Sequence, residues 1–201
     1  MRRRVHSPAA RVRAFAAACA LCVGAGAQAG TAAAPAVPTA ATPAAAPSEV
    51  ERAMPAARLV GAATMQFVGF EIYEARLWAA PGFAAEHYPT QAFALELRYA
   101  REFDREAIAQ RSIAEMRRVG DFDPAQERAW RDQLLRAIPD VKAGDRLTGV
   151  RDAIGATRFF ANGRPTGTIA DPEFGRLFFG IWLAPQTSEP ALRRGLIGRA
   201  S

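Results

Sequence analysis

Cysteine is nearly missing from this chain: Cys19 and Cys22 are the only two in 201 residues, and both lie in one apolar N-terminal stretch. If that stretch is removed on export, the rest of the protein has no thiol, so no disulfide can staple it. Histidine is as scarce. Beyond the N-terminal stretch only His87 remains, on a loop before Tyr88-Pro89. One histidine without a cysteine or second histidine excludes the usual zinc ligand sets. No nucleophile elbow surrounds it for a Ser-His-Asp arrangement, and a solvated loop histidine is the better reading. Lysine occurs once, as Lys142 in the polar turn Pro139-Asp140-Val141-Lys142-Ala143-Gly144-Asp145. An exposed, protonated amine is a poor Schiff-base former, which excludes that chemistry. Asp140 and Asp145 in the same turn read as turn formers rather than as a catalytic pair. No glycine-rich phosphate loop precedes a helix. Nothing in the inventory requires a cofactor or a metal.

What is abundant at the N-terminus is positive charge followed by alanine. Arg2, Arg3, Arg4, Arg11 and Arg13 stand with no acid among them, ahead of an apolar run from Ala14 to Val23. Ala27-Gln28-Ala29 then offers a small-x-small cleavage site, so residues 1–29 read as a signal peptide. The apolar run is about 10–15 residues long, short of the roughly 20 that span a bilayer. The triple arginine leaves a twin-arginine route open beside the general one. A lipid anchor on Cys22 is disfavoured by the bulky Leu21 before it. The expectation is an exported, periplasmic protein with no transmembrane span in its mature chain.

Charge must be read after this segment is set aside. The whole chain has 26 basic and 20 acidic residues, and residues 1–29 hold five of the arginines and no acid. The mature chain is left with 21 against 20, a net charge of +1. Its arginines alternate with acids instead of clustering on one face, so nucleic-acid binding is not expected. Residues 30–52 begin with an Ala/Pro/Thr stretch carrying Pro35, Pro38, Pro43 and Pro47, and read as a disordered tether that adds nothing to folding. Residues 53–199 then make one domain, long enough for a core without staples.

Within that domain Arg58 to Ala79 reads as strand, with bends or bulges at Gly61 and Gly69. Apolar residues on both of its faces suggest a central position. Phe93, Leu95, Leu97 and Tyr99 alternate with Ala94, Glu96 and Arg98, the pattern of a half-buried strand. One helix starts from an Asp104 cap and aligns Ile108, Ser112, Met116 and Val119. A second has Asp123 as cap, Pro124 at its first position and Gln126 completing a capping box. A strand near Arg146–Val150 leads into a hairpin turning at Asn162-Gly163. Asp171-Pro172 and Ser188-Glu189-Pro190 open two further helices. This order lacks a regular βαβ alternation and predicts an α+β fold, an antiparallel sheet with a layer of helices on one face.

Three stretches together resemble a known family. They are Leu59-Val60-Gly61 through Gly69-Phe70-Glu71-Ile72-Tyr73-Glu74-Ala75-Arg76-Leu77-Trp78, then Pro139 to Leu147, then Asn162-Gly163 with Phe178-Phe179-Gly180-Ile181-Trp182-Leu183. In order and spacing they are similar to bacterial members of the chalcone isomerase-like family, which shares its fold with fatty-acid-binding proteins. The resemblance implies an open-faced β-sandwich with an apolar cleft between sheet and helices. It also implies an early arginine that steadies a phenolate or carboxylate, a threonine on the neighbouring strand, and a tyrosine. Here the arginine position holds Met65, the threonine falls near Val68, and the tyrosine corresponds to Tyr73. The candidate ligand-binding residues are therefore Met65 and Tyr73, with Arg98 and Tyr99 (and Arg101 beside them) as candidates for a polar end. A solvated strand edge is the plainer reading of those last three. The expected function is non-catalytic binding of a small apolar, amphipathic or fatty-acid-like ligand. The alternatives are an isomerase or lyase of unknown substrate, and a ligand-free interaction scaffold.

Overall fold

A computed structural model describes residues 45–198. The expected signal peptide lies outside the described residues, as does most of the expected tether. The described chain forms a helix α1 (Ser48–Ala53), strands β1 (Arg58–Phe67), β2 (Phe70–Ala79) and β3 (Phe93–Tyr99), and helices α2 (Arg105–Val119) and α3 (Pro124–Ala137). Strands β4 (Arg146–Arg151), β5 (Thr157–Ala161) and β6 (Arg164–Ile169) follow, then helices α4 (Pro172–Leu183) and α5 (Pro190–Leu196). The six strands pair antiparallel in chain order, β1 to β6. The predicted α+β architecture is the one observed.

The segment expected to be one long central strand is two. The chain reverses at Val68-Gly69, both with positive φ (49° and 78°), and β1 returns as an edge strand beside β2. Two successive left-handed residues are the geometry of a tight hairpin turn. Valine seldom takes the first of them, because its branched Cβ crowds the backbone there. That is why the turn was hidden. The Asn162-Gly163 turn, with φ of 49° and 81°, stands where the sequence predicts it. Gly61 marks a bulge in β1 against β2. It also brings β1 against α5, since a Cβ at Gly61 would lie 2.2 Å from the Gly195 carbonyl oxygen.

Side-chain alternation sorts the sheet into two faces. Tyr73, Ala75, Leu77, Phe93, Leu95, Leu97, Tyr99, Leu147 and Phe159 point to the helical layer and form the main core with α2 to α5. The capping box of α3 forms as expected: Asp123 Oδ1 accepts from the Gln126 amide at 2.8 Å, and Gln126 Oε1 accepts from the Asp123 amide at 3.0 Å. Asp104 makes no side-chain cap on α2; instead Asp140 Oδ1 accepts from the Arg105 amide at 3.0 Å. The turn aspartate thus serves a helix distant in sequence. Asp171 Oδ1 caps α4 through the Glu173 amide (2.9 Å), while its Oδ2 accepts from Trp130 Nε1 (2.9 Å), tying α3 to α4.

The other face holds Trp78, Ala94 and Val150, and α1 covers them by burying Val50. Residues 48–52, expected to lie in the tether, therefore belong to the domain. Glu49 explains why. Its side chain is fully buried, accepting from Arg146 Nη2 at 2.9 Å and from Thr148 Oγ1 at 2.9 Å. A carboxylate is left out of water only where such partners meet it.

Candidate ligand-binding cavity

Between the sheet and the helices lies a cavity of about 380 Å³. It is within the range of about 300–1,000 Å³ typical of small-molecule sites. The floor is sheet: Met65 from β1, Tyr73 from β2, Leu95, Leu97 and Tyr99 from β3, and Leu147 from β4. The roof comes from Ile108 of α2 and Phe178, Ile181 and Trp182 of α4. Two features of the sequence hold this space open. Gly149 on β4 leaves room for the Phe179 ring, whose carbons would stand 3.1–3.2 Å from any Cβ there. The ring pairs between Phe178 and Phe159, Phe179 and Trp182 (centroids 5.4–5.5 Å, edge-on) then fix α4 as a rigid aromatic wall.

Several polar groups line the part of the cavity near Tyr73. Arg111, Ser112 and Glu115 reach it from α2, and Ser188 and Glu189 from the approach to α5. Glu115 is nearly buried and is bound by Arg111 Nη2 at 2.9 Å, with Arg118 Nε at 3.4 Å. Tyr73 lies at the floor of this region. Its hydroxyl accepts from Trp182 Nε1 at 3.0 Å, which leaves its own proton available for a further acceptor. Burial pushes the Tyr73 phenol up from 10.0 to about 12, against the opposing pull of the Trp182 hydrogen bond. Burial raises Tyr99 as well, with a further contribution from Tyr73, whose ring it meets edge-on at 5.8 Å. Both phenols therefore stay neutral donors at ordinary pH.

Of the residues the sequence singles out, Met65, Tyr73 and Tyr99 meet in this cavity. Arg98 does not. In β3 it alternates with Leu97 and Tyr99, so it faces the opposite side of the sheet, in a polar recess with Arg76, Glu96 and Arg146. The two-residue period of a strand forbids Arg98 and Tyr99 from sharing one face. Arg101 is also elsewhere, stacked over the Phe70 ring at 4.6 Å to its centroid. The sequence reading missed Arg111, Glu115 and Glu189. Arg111 and Glu115 are four residues apart on α2, with the buried Ser112 between them, and that spacing was the available signal. Nothing local in Ser188-Glu189-Pro190 reveals that Glu189 approaches α2. Among the described residues no group of three or more His, Cys, Asp or Glu is placed to hold a metal ion. No described helix is long and apolar enough to cross a membrane.

An antiparallel sheet roofed by helices over an apolar cavity defines the class of open-faced sandwich proteins. The profile of the chalcone isomerase-like family matches residues 44–198, and the chain belongs to that family. Comparison with curated proteins found no similar sequence. Among solved structures the fold is similar to that of a fatty-acid-binding protein of Arabidopsis thaliana, with a TM-score of 0.55 at 10% identity. The match covers 71% of this chain and 87% of the plant protein.

Proposed function

We propose that this protein binds a small apolar or amphipathic ligand between sheet and helices and does not transform it. The observation that carries the reading is the cavity itself, a largely apolar space with charged groups near Tyr73. A scaffold without a ligand would fill such a space with side chains, as cores normally do. The fatty-acid-binding activity named for the plant protein of similar fold supports the same use. Met65, on the cavity floor where the family's arginine is expected, argues against turnover. A thioether carries no charge to steady a developing anion, and losing one such stabiliser typically costs about 10²–10³ in rate. Affinity does not require it. Each buried methylene contributes up to about 0.8 kcal/mol, so about ten of them reach micromolar binding.

Native mass spectrometry of the purified protein should detect a retained small molecule, or one taken up from an offered lipid mixture. Ile108→Trp, which projects an indole from α2 into the cavity, should weaken uptake at least tenfold while the far-ultraviolet circular dichroism stays unchanged. Undiminished uptake by a folded Ile108→Trp variant would move the binding site elsewhere. We propose further that the ligand is met outside the cytoplasm, on the strength of the arginine-led apolar segment ahead of Ala27-Gln28-Ala29. The intact mass of exported protein should then correspond to a chain beginning near Gly30.

A further inference from the structure

The polar region of the cavity is not built for an anion. Three charged side chains line it, Arg111, Glu115 and Glu189, alongside the hydroxyls of Tyr73, Ser112 and Ser188. The one cation is already engaged, since Arg111 holds Glu115 at 2.9 Å and points 65% of its side-chain surface to solvent. Glu115 is shared with Arg118 at 3.4 Å and has only 6% of its side chain exposed, so both arginines are drawn toward it. Ser112 is turned inward to its own helix, its Oγ donating to the Ile108 carbonyl at 2.8 Å. Glu189 stands apart from these pairs. Its backbone amide donates to Thr187 Oγ1 at 3.1 Å, and its carboxylate forms no ion pair among the described residues. Glu189 and Glu115 push the Tyr73 phenol up and Arg111 pulls it down, all three behind burial and the Trp182 hydrogen bond, so Glu189 lies near the Tyr73 hydroxyl as the α2 pair does. A ligand head entering here meets a free carboxylate acceptor and a neutral phenol that both donates and accepts.

We infer that the cavity selects an apolar chain ending in a hydrogen-bond donor, a hydroxyl or an amine, with Glu189 as the specificity-determining residue, and discriminates against carboxylates. A carboxylate head would be an acceptor placed beside another acceptor of the same charge, and the cation lining the cavity, Arg111, is paired with Glu115. A hydroxyl pairs with both, donating to Glu189 and accepting from Tyr73. An ammonium donates to Glu189 and gains its charge as well. This inference rests on the proposed binding function and adds the head-group class to it.

Four ligands of one chain length separate the possibilities: decanol and decylamine as donors, methyl decanoate as a neutral acceptor, and decanoate as an anionic one. Each would be titrated against the purified protein loaded with the neutral fluorescent probe N-phenyl-1-naphthylamine. Decanol and decylamine are expected to displace the probe at concentrations at least tenfold below methyl decanoate and decanoate. In Glu189→Gln the decylamine advantage over decanoate should shrink at least tenfold. In Glu189→Ala, which removes the side-chain acceptor altogether, decanol and methyl decanoate should come within threefold of each other. Decanoate or methyl decanoate matching decanol in the unaltered protein would overturn the inference and leave the binding function standing. So would ligand ratios that neither substitution changes. Displacement by none of the four, with the probe itself unbound, would overturn the binding function together with it.

Discussion

At the scale of single residues, the tyrosines report how closed the interior is. The protein has three, Tyr73, Tyr88 and Tyr99, and burial is the first cause of a raised phenol at each. A pKa raised in the folded state stabilises the fold fully below the unfolded value, and the stabilisation is lost as pH climbs through the folded one. For Tyr73 that window runs from 10.0 to about 12. Tyrosinate absorbance should therefore stay flat in the folded protein around pH 10 and rise together with loss of circular dichroism above it. A tyrosine ionising at its ordinary value in the folded protein would show that one of these sites is open to water. Tyr73→Phe should shift the alkaline unfolding midpoint upward, even though it leaves Trp182 Nε1 without its acceptor at neutral pH.

At the scale of elements, α1 is the piece whose weight is out of proportion to its six residues. It closes the far face of the sheet with Val50 and plants Glu49 on Arg146 and Thr148. Removing one partner of a buried pair costs about 3–5 kcal/mol, and Arg146, still 30% exposed, puts this one at the lower end. Uncovering the Val50 contact adds roughly 1.5 kcal/mol or more. A chain beginning at Met54 should thus melt roughly 10 °C or more below one beginning at Ala45, taking about 2–4 °C per kcal/mol for a domain of this size. Glu49→Gln should recover part of the difference, since an amide oxygen still accepts from Thr148. Equal melting temperatures for the two chains would mean that α1 is only loosely held.

At the scale of the whole molecule, a cavity that takes a ligand only in the folded state must link binding to stability. Ligand at 100 times its dissociation constant stabilises by about 2.7 kcal/mol, which raises the melting temperature by several degrees. Decanol should produce that shift in the unaltered protein and lose most of it in Ile108→Trp. The same preparation, offered naringenin chalcone, should bring no stereoselective closure beyond the spontaneous reaction. Clear turnover would send the search for a cation to Arg111, which among the described arginines is the one that lines the cavity.

Periodicity and turn chemistry in the sequence were enough for the strands β3 to β6, the four helices of the main layer and the Asn162-Gly163 hairpin. These signals are local: alternation in Phe93–Tyr99, the capping box at Asp123, and two residues suited to left-handed backbone. Met65 and Tyr73 were recognisable as cavity residues through the family pattern, and Tyr99 through its place on β3. Arg98 was misplaced although its strand was read correctly, because alternation alone separates it from Tyr99. The Val68-Gly69 reversal escaped because its first residue contradicts the propensity of the turn, which the pairing of β1 with β2 overrides. Glu49 carried no local mark at all; only the folding of β4 brings Arg146 and Thr148 to it. The polar region of the cavity was likewise decided by tertiary structure, since Arg111 and Glu115 come from one helix and Glu189 from the approach to another. Local sequence determines most of the backbone turns, with Val68-Gly69 as the exception. Long-range packing determines which charges end up sharing a space, because that depends on how α2 and α5 lie across the sheet.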